Sequence, residues 1–310
     1  MVLRRTLLAA AGSERTRALI ERSPGSRQVV KRYVAGPATD DAVAVADALI
    51  EDGLLATIDY LGEDTTDTNQ AILVKEAYLL LLERLAAAGL TPHAEVSVKL
   101  SAIGQSLSSD GEKIALEHAH AVCEAAQRAG TTVTFDMEDH TTTDSTLKIV
   151  AELRRDYPWA GIVLQAYLRR TEADCKDFAA PGSRVRLCKG AYREPESVAY
   201  QEKQDVDLSY VRCMRTLMAG EGYPMLATHD PRLIEIGGAL AVRNGRSIGS
   251  YEFQMLFGVR PHEQKRLAAA GERMRVYVPY GSEWYGYLMR RLAERPANLG
   301  FFARSLVSKD

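Results

Sequence analysis

Residues 94–138 read AEVSVKLSAIGQSLSSDGEKIALEHAHAVCEAAQRAGTTVTFDME, and this stretch decides the fold class. A β-branched run, EVSVKL, precedes a helical segment that ends near Gly130, and a second such run, TVTFDM, follows directly. Strand, helix and strand in this order form the repeating unit of a parallel α/β sheet.

The same alternation extends in both directions along the chain. The other strand-like runs are ATIDYL, GIVLQAY, RVRLCKG, PMLATHD, the region around SIGSYEFQML, and MRVYVPYG, each followed by a helical segment. Eight such units lie between about residue 55 and residue 295, at the spacing of about 30 residues that one βα unit needs. Eight parallel strands close a barrel. A doubly wound open sheet is the alternative, but no strand is followed by the GxGxxG turn of a dinucleotide-binding domain. We therefore predict an α/β fold of the (β/α)8 TIM type.

The first part of the chain has a different pattern. Residues 3 to about 50 read as helices, with capping residues such as Ser13 and Thr39 before alanine- and leucine-rich segments. No linker or low-complexity tract interrupts the rest. We predict an N-terminal helical appendage over residues 1–50 and a single barrel domain over residues 51–310.

Composition excludes several classes of function. With 39 basic and 41 acidic residues, the chain has no global field that would attract nucleic acid. The four cysteines are scattered, which fits free thiols in a reducing cytoplasm better than a zinc site. The apolar run at Leu7–Gly12 is short for a secretory signal, and no run approaches the roughly 18 residues of a membrane span. A small peripheral membrane contact stays compatible with this sequence.

Polar residues stand where the predicted strands end, which is where barrel enzymes place their active sites. These residues are Lys99, Asp136, Glu138, Gln165, Arg186, Lys189, Thr228, His229 and Tyr277. The sequence therefore predicts a polar site at the C-terminal mouth of the barrel.

Residue types alone leave several roles open. Lys99 points either into the barrel mouth or into solvent, and Asp136 on the adjacent strand could pair with it, as a structural ion pair or within a site. Arg186 and Lys189 form either a seat for a phosphate or an electron-rich ring, or a basic surface turn. His229 could be a base, a metal ligand or a hydrogen-bonding residue, but no HExxH motif or second nearby histidine supports a metal, and we predict none.

The segment YLMRRLAE, residues 287–294, places Tyr287, Arg290, Arg291 and Glu294 on one helical face. Periodicity alone predicts that this face meets water and that the arginines pair with Glu294. The aromatic rings of Trp284 and Tyr287 along the same face instead favour the wall of a pocket, where two guanidinium groups could hold one carboxylate.

From about Ala56 to Asn298 the chain resembles proline dehydrogenase, the flavoenzyme that oxidises L-proline, in its short monofunctional bacterial form. The resemblance rests on seven motifs in order: VSVKLSAIG, FDMED, QAYLRR, RVRLCKGAY, ATHD, YEFQMLFGV and YVPYGSEWYGYLMRRLAERPAN. It implies a distorted (β/α)8 barrel that binds FAD, which agrees with the independent count of eight units.

The resemblance also implies roles for individual residues. Arg290 and Arg291 would clamp the substrate carboxylate, and Glu294 would orient one of them. The residues around the pyrrolidine ring would be Tyr277, Tyr287 and Leu256, with Tyr192 and Ala191 nearby and Lys99 and Asp136 closing the site from the barrel floor. The flavin contacts would be Gln165 and Arg186 at the isoalloxazine, Lys189 and Gly190 along the adjoining wall, and Thr228 and His229 at the ribityl or adenosine portion.

The implied reaction is hydride transfer from proline to flavin N5, which gives Δ1-pyrroline-5-carboxylate in the first step of proline catabolism to glutamate. The chain ends soon after the eighth helix, so a separate pyrroline-5-carboxylate dehydrogenase is expected to take this product. Electrons would pass to a membrane quinone, and the protein would be cytoplasmic with intermittent membrane association. The group that accepts the amine proton stays open between water and a side chain. The bulk of Tyr277 favours proline over hydroxyproline.

Two other functions compete with this hypothesis. One is a cofactor-free barrel lyase or isomerase that uses Lys99 as a Schiff-base nucleophile. The other is a binding protein that has kept the barrel but lost catalysis. A yellow protein bleached by proline would distinguish the flavoenzyme from both.

Overall fold

The computed structural model describes residues 30–285, 287 and 288, and their strands close into one parallel barrel in chain order. The strands are β1 (Leu55–Tyr60), β2 (Ala94–Val98), β3 (Val133–Phe135), β4 (Gly161–Gln165), β5 (Arg184–Cys188), β6 (Tyr223–Ala227), β7 (Glu252–Leu256) and β8 (Met274–Tyr280). Closure occurs where β1 pairs with β8, with Thr57 opposite Tyr277. The eight strand-like runs and the barrel fold class are therefore confirmed.

Helices surround the barrel, one directly before the first strand and one between each pair of successive described strands. They are α1 (Thr39–Glu51), α2 (Thr68–Ala87), α3 (Gly111–Ala129), α4 (Thr143–Leu153), α5 (Thr171–Asp177), α6 (Lys203–Ala219), α7 (Pro231–Arg243) and α8 (Pro261–Ala269). A short 3-10 turn, Ser101–Ile103, follows β2. Helix α1 precedes the first strand and packs against β1, β8 and α2 through buried residues that include Ala46. No helix in the described part of the chain is both long and apolar enough to cross a membrane.

The apolar core lies between the strands and the surrounding helices. In β5, Val185 and Leu187 belong to this core, whereas Arg184 and Arg186 alternate with them. Successive residues of a strand face opposite sides of the sheet, so the two arginines face the lumen. A barrel lumen is usually filled by branched apolar side chains. The lumen of this barrel instead carries charged and amide groups, which must be paired when they are buried.

The lower lumen contains an ion-pair cluster formed by Glu95, Arg184, Glu252 and Arg275, which we call the basal network. Arg275 Nε donates to Glu252 at 2.7 Å, and Arg184 Nη2 donates to Glu95 at 2.6 Å. Burial alone would raise the pKa of Glu252, but the adjacent Arg275 lowers it to about 2. The basal network therefore stays ionised and supports the polar groups that lie above it.

Candidate active site

A cavity of about 780 Å³ lies at the C-terminal ends of the strands. Every described residue to which the family resemblance gives a role lines it: Lys99, Asp136, Gln165, Arg186, Lys189, Gly190, Ala191, Tyr192, Thr228, His229, Leu256, Tyr277 and Tyr287. The remaining three, Arg290, Arg291 and Glu294, lie outside the described residues. The cavity gathers positions from Asp59 on β1 to Tyr287, near the end of the described residues.

Lys99 follows β2 directly, and its ammonium group enters the barrel mouth. It donates to the two carboxylate oxygens of Asp59 at 2.8 and 2.7 Å, and lies 3.8 Å from Asp136. The expectation that Asp136 would be the partner of Lys99 is thus only partly right, because Asp59 on β1 makes the closer contact. The sequence reasoning missed Asp59, although an acidic residue between the apolar residues of ATIDYL is the same signal that singled out Lys99.

The protonation of this pair follows from its surroundings. Burial alone would lower the pKa of Lys99, but Asp59 and Asp136 raise it above its ordinary value. Burial raises the pKa of Asp59, against the opposing effect of Lys99. Lys99 is therefore a protonated ammonium group held against a carboxylate.

Asp136 lies one residue beyond β3 and is held from three sides. Its Oδ1 accepts from Arg186 Nη1 at 2.7 Å and from Ser97 Oγ at 2.9 Å, and its Oδ2 accepts from the Tyr277 hydroxyl at 2.7 Å. The guanidinium carbon of Arg186 also lies 5.4 Å from the centre of the Tyr277 ring. Burial, and then the Asp136 charge, raise the pKa of Tyr277, so its hydroxyl stays protonated and donates. The three predicted residues Asp136, Arg186 and Tyr277 form one connected group.

Arg186 and Lys189 have different partners, although only two residues separate them. Arg186 is 4% exposed and its Nε donates to Gln254 Oε1 at 2.6 Å, so it lies in the lumen and the interpretation as a basic surface turn is wrong for it. Lys189 lies at the cavity rim, where it donates to Asp207 at 2.5 Å and to Asp230 at 3.4 Å. The sequence reasoning also missed Gln254, whose place between alternating apolar residues in EFQML was the available signal.

Gly190 lets the segment after β5 pass close to an aromatic ring. Its φ is +108°, and a Cβ atom there would lie 2.2 Å from a carbon of the Tyr167 ring. Two residues beyond Tyr192, the carboxylate of Glu194 accepts from the Tyr167 hydroxyl at 3.1 Å and from the His140 backbone N–H at 2.9 Å. These contacts fix the segment that brings Ala191 and Tyr192 to the cavity.

The strand ends at β4 and β6 supply amide, hydroxyl and imidazole groups. Gln165 Nε2 donates to the Glu138 carbonyl at 2.7 Å, and Thr228 Oγ1 accepts from the Asp230 backbone N–H at 3.1 Å. His229 Nε2 accepts from the Leu256 backbone N–H at 3.0 Å, which requires that Nε2 carries no proton. Of the three roles left open for His229, the structure shows the hydrogen-bonding one.

Glu138 is a buried acid beside this wall. It accepts from the Ser101 hydroxyl at 2.6 Å and from the Ser101 backbone N–H at 3.2 Å. Burial raises the pKa of Glu138 to about 7, against the opposing effects of Ser101 and Lys99. Its charge therefore changes near neutral pH.

The aromatic part of the wall comes from β8 and the segment after it. Tyr287 is 6% exposed and lines the cavity. Its neighbours Tyr285 and Leu288 are also buried, but they do not line the cavity. With Tyr277 and Leu256, Tyr287 gives the cavity apolar surface next to the charged groups around Lys99, since the Tyr277 hydroxyl lies 3.4 Å from Lys99 Nζ. An apolar surface facing a small set of fixed charges is suited to a small zwitterionic substrate.

Comparison with known proteins is consistent along most of the chain. The family model described as proline dehydrogenase matches residues 42–304. Proline dehydrogenase 1 of Bacillus subtilis subsp. natto is 39% identical over 285 residues, which cover 92% of this chain and 93% of the relative. Proline dehydrogenase of Deinococcus radiodurans is 37% identical over 283 residues, which cover 90% of each chain.

A solved structure with the same fold is that of proline utilization A from Bdellovibrio bacteriovorus inactivated by N-propargylglycine. It superposes with a TM-score of 0.79 at 26% identity, over 86% of this chain and 32% of that longer chain. The similarity therefore concerns one part of a larger protein.

Proposed function

The chain belongs to the proline dehydrogenase family, and we propose that it transfers a hydride from L-proline to FAD and releases Δ1-pyrroline-5-carboxylate. Family membership makes the chain an enzyme that oxidises proline. The observation that supports the finer proposal is the cavity at the barrel mouth, which is lined by every described residue to which the resemblance gave a role. We propose no metal and no nucleic acid as partners.

The cavity fits a flavin in size and in the chemistry of its wall. Its volume of about 780 Å³ lies within the roughly 300–1,000 Å³ of typical ligand sites. Val163 and Ala227 contribute apolar surface, and Lys189 and Arg232 bring cations to the rim, where a diphosphate could be held. When bound, FAD supplies the two-electron acceptor that no side chain provides.

Different parts of the wall would hold different parts of the cofactor. In our proposal Gln165 and Arg186 contact the isoalloxazine, and Lys189 and Gly190 line the adjoining wall. Thr228 and His229 lie next to the ribityl or adenosine portion. Arg186 is already fixed by Asp136 and Gln254, so its charge needs no rearrangement to act on the flavin.

The substrate would lie between the charged floor and the aromatic wall. Arg290 and Arg291 follow Tyr287 by three and four residues, the spacing of neighbours on one helical face, and Tyr287 lines the cavity. We propose that these two arginines bind the proline carboxylate and that Glu294 orients one of them. Tyr277, Tyr287 and Leu256 would contact the ring, with Tyr192 and Ala191 beside it.

Lys99 and Asp136 would close the floor beneath the substrate. Proline must lose hydride with its amine neutral, because the nitrogen lone pair assists the transfer. Protonated Lys99 cannot accept the amine proton, so its role is electrostatic and positional. The same protonation disfavours the lyase alternative, since a Schiff-base lysine attacks as a neutral amine.

The partners beyond the site are proposed from the same chemistry. The reduced flavin would pass its electrons to a membrane quinone, and the product would pass to a separate pyrroline-5-carboxylate dehydrogenase. Such an enzyme would work in the cytoplasm and associate peripherally with the inner face of the membrane.

A visible spectrum of the purified protein tests the function. We expect flavin absorbance that is bleached when L-proline is added without oxygen, and FAD among the released small molecules. A colourless protein that borohydride traps with a substrate would favour the Lys99 lyase instead. Bound flavin that proline does not reduce would favour a binding protein without catalysis.

N-propargylglycine provides a second test, because it inactivates the related Bdellovibrio protein. Like proline, it carries a carboxylate and a secondary amine. We expect time-dependent inactivation of this chain that excess L-proline slows. Inactivation at the same rate with and without proline would contradict a shared site.

The position of Tyr277 in the cavity wall limits which substituents on the substrate ring the site can accept. Its ring already contacts Arg186 and its hydroxyl is bound to Asp136, so it cannot move aside for a ring hydroxyl at low cost. We propose that proline is preferred over hydroxyproline. Faster flavin bleaching by hydroxyproline than by proline would disprove this preference.

A further inference from the structure

Gln254 lies between two groups of opposite charge inside the barrel. It is the third residue of β7, is 2% exposed, and pairs in register with Ala227 and Arg275 of the neighbouring strands. Its Nε2 donates to Glu252 Oε1 at 2.6 Å, and its Oε1 accepts from Arg186 Nε at 2.6 Å. One amide therefore connects the basal network to the cavity.

Only one orientation of this amide satisfies both neighbours. A carboxylate can only accept hydrogen bonds and a guanidinium can only donate them. If the amide were flipped, its oxygen would face Glu252 and its NH2 group would face Arg186, and both contacts would be repulsive. The neighbours thus determine which atom of Gln254 faces the cavity.

The Glu252 carboxylate is held in place by its own partners, so it fixes the orientation of the Gln254 amide. Arg275 donates to its two oxygens at 2.7 and 3.2 Å, and the Tyr223 hydroxyl donates at 2.9 Å. Glu252 is completely buried. Rotating its carboxylate would break bonds to charged groups in a fully buried site, which is costly.

Gln254 completes the placement of Arg186. Arg186 Nη1 donates to Asp136 and to Ser97, both at 2.7 Å, and its Nε donates to Gln254. The bonds at Nη1, with only a long bond from Nη2 to Thr57 Oγ1 at 3.4 Å beside them, would leave the guanidinium plane weakly held against turning. The bond at Nε lies on another edge of the plane and sets its direction.

We propose that Gln254 is a positioning residue that sets the direction of the Arg186 guanidinium at the flavin, acting from the orientation that Glu252 imposes on its amide. The inference rests on the proposed role of Arg186 beside the flavin. Its consequence is that a buried amide controls how strongly the protein stabilises the negative charge of the reduced flavin.

The first test replaces the amide with an apolar side chain of similar size. Gln254→Met cannot accept from Arg186 Nε or donate to Glu252. In the flavin-loaded variant we expect a more negative flavin midpoint potential and an at least tenfold slower anaerobic flavin reduction by L-proline. Gln105→Met is the matched control, because Gln105 donates to Ser145 and Thr146 outside the cavity and its loss should leave the potential unchanged.

The second test replaces the amide with a titratable group. In Gln254→Glu, a protonated carboxyl group can donate to Glu252 and accept from Arg186, as the amide does. Once ionised, the new carboxylate lies directly against the Glu252 carboxylate and is repelled by it. Glu252 is also bound by Arg275 and Tyr223, and Arg186 is also bound by Asp136. We expect its flavin reduction rate, divided by that of the wild type, to fall as the pH rises.

The outcomes separate this inference from the proposed function. If L-proline does not bleach the wild-type flavin, the proposed function is wrong and the inference falls with it. If the wild type is bleached and Gln254→Met has full flavin content, a wild-type potential and a wild-type reduction rate, only the positioning role is wrong. Should Gln254→Met fail to fold or to retain flavin, a Gln254→Glu rate ratio that is independent of pH would overturn the inference.

Discussion

Lys99 and Asp59 form an ion pair that hardly contacts solvent, since their side chains are 10% and 1% exposed. Breaking such a buried pair by removing one charge leaves the other uncompensated. Coulombic attraction therefore makes Asp59 a structural requirement for Lys99 to stay in the barrel mouth.

Asp59→Asn tests this requirement. We expect a loss of about 3 kcal/mol in the free energy of unfolding, measured by urea denaturation at neutral pH. The control is Glu112→Gln, which removes a surface ion pair with Lys148. The Glu112 side chain is 50% exposed and that of Lys148 is 76% exposed, so the loss should cost under about 1 kcal/mol. Equal losses in the two variants would show that the buried pair contributes no more than a surface pair.

Arg290 and Arg291 carry the prediction for substrate binding. Replacing either one by alanine should raise the apparent KM for proline at least tenfold, because a charge-assisted hydrogen bond is worth about 2 kcal/mol. Steady-state kinetics with saturating electron acceptor measure it. An unchanged KM in both variants would refute the carboxylate clamp.

Sequence reasoning at this scale found residues but not all of their contacts. Lys99 stood out as a cation among apolar residues, and so did Asp136 at a strand end. Asp59 and Gln254 carry the same local signal, a polar residue between apolar ones, but their partners in the lumen depend on the register of strands that are distant in sequence. Gln254 meets Arg186 across the lumen, between β7 and β5, which are not neighbours in the sheet. No local pattern encodes that meeting.

The segment after β5 requires glycine at position 190 for two reasons. Its φ is positive, and the Tyr167 ring occupies the space that a Cβ atom would need. Gly182 provides a control, because its φ is +75° and nothing lies within 4 Å of a Cβ built there. An alanine at Gly182 therefore meets only backbone strain, roughly 1 kcal/mol.

Gly190→Ala should cost more than Gly182→Ala and should also displace Ala191 and Tyr192 from the cavity. We expect lower flavin content and an increased KM for proline in Gly190→Ala, and unchanged values for both in Gly182→Ala. Flavin-to-protein absorbance ratios and kinetics give the comparison. Matching values in the two variants would contradict the role of the close contact with Tyr167.

Element boundaries were less predictable than element types. The run TVTFDM, residues 132–137, predicted a longer third strand than the observed Val133–Phe135. Beyond Phe135 the chain makes one further hydrogen bond to β2, from the Asp136 N–H to the Val98 carbonyl at 2.9 Å. The seventh strand had the least regular pattern, and only Glu252–Leu256 of that region is a strand.

At the scale of the whole molecule, Glu138 makes stability depend on pH. Its pKa in the folded protein is about 7, above the ordinary 4.5. The folded state therefore binds the proton more tightly than the unfolded state does. The stability that this group contributes is fully present below pH 4.5 and is lost as the pH rises toward 7.

Glu138→Gln should remove this dependence. Relative to the wild type, we expect the variant to gain on the order of 3 kcal/mol between pH 4 and pH 8, whatever constant cost it carries for the altered bonds to Ser101. Urea unfolding of both proteins at the two pH values measures the difference. A difference between them that is the same at both pH values would contradict the raised pKa.

The overall architecture could be predicted because it depends on repetition. Each strand-like run is short and apolar on one face, and eight of them alternate with helices, so the count alone indicated a closed barrel. The polar lumen was harder to foresee. Arg184 and Arg275 read as ordinary strand residues until closure places them opposite Glu95 and Glu252.

We propose that proline is oxidised in the cavity at the barrel mouth, against a flavin that lies beside Arg186. A crystal structure of the dithionite-reduced enzyme with L-proline bound would show both molecules in place. We predict a flavin in this cavity, the proline ring against Tyr277 and Tyr287, and its carboxylate within hydrogen-bond distance of Arg290 and Arg291. Proline or flavin bound elsewhere, with both guanidinium groups in bulk solvent, would contradict the account.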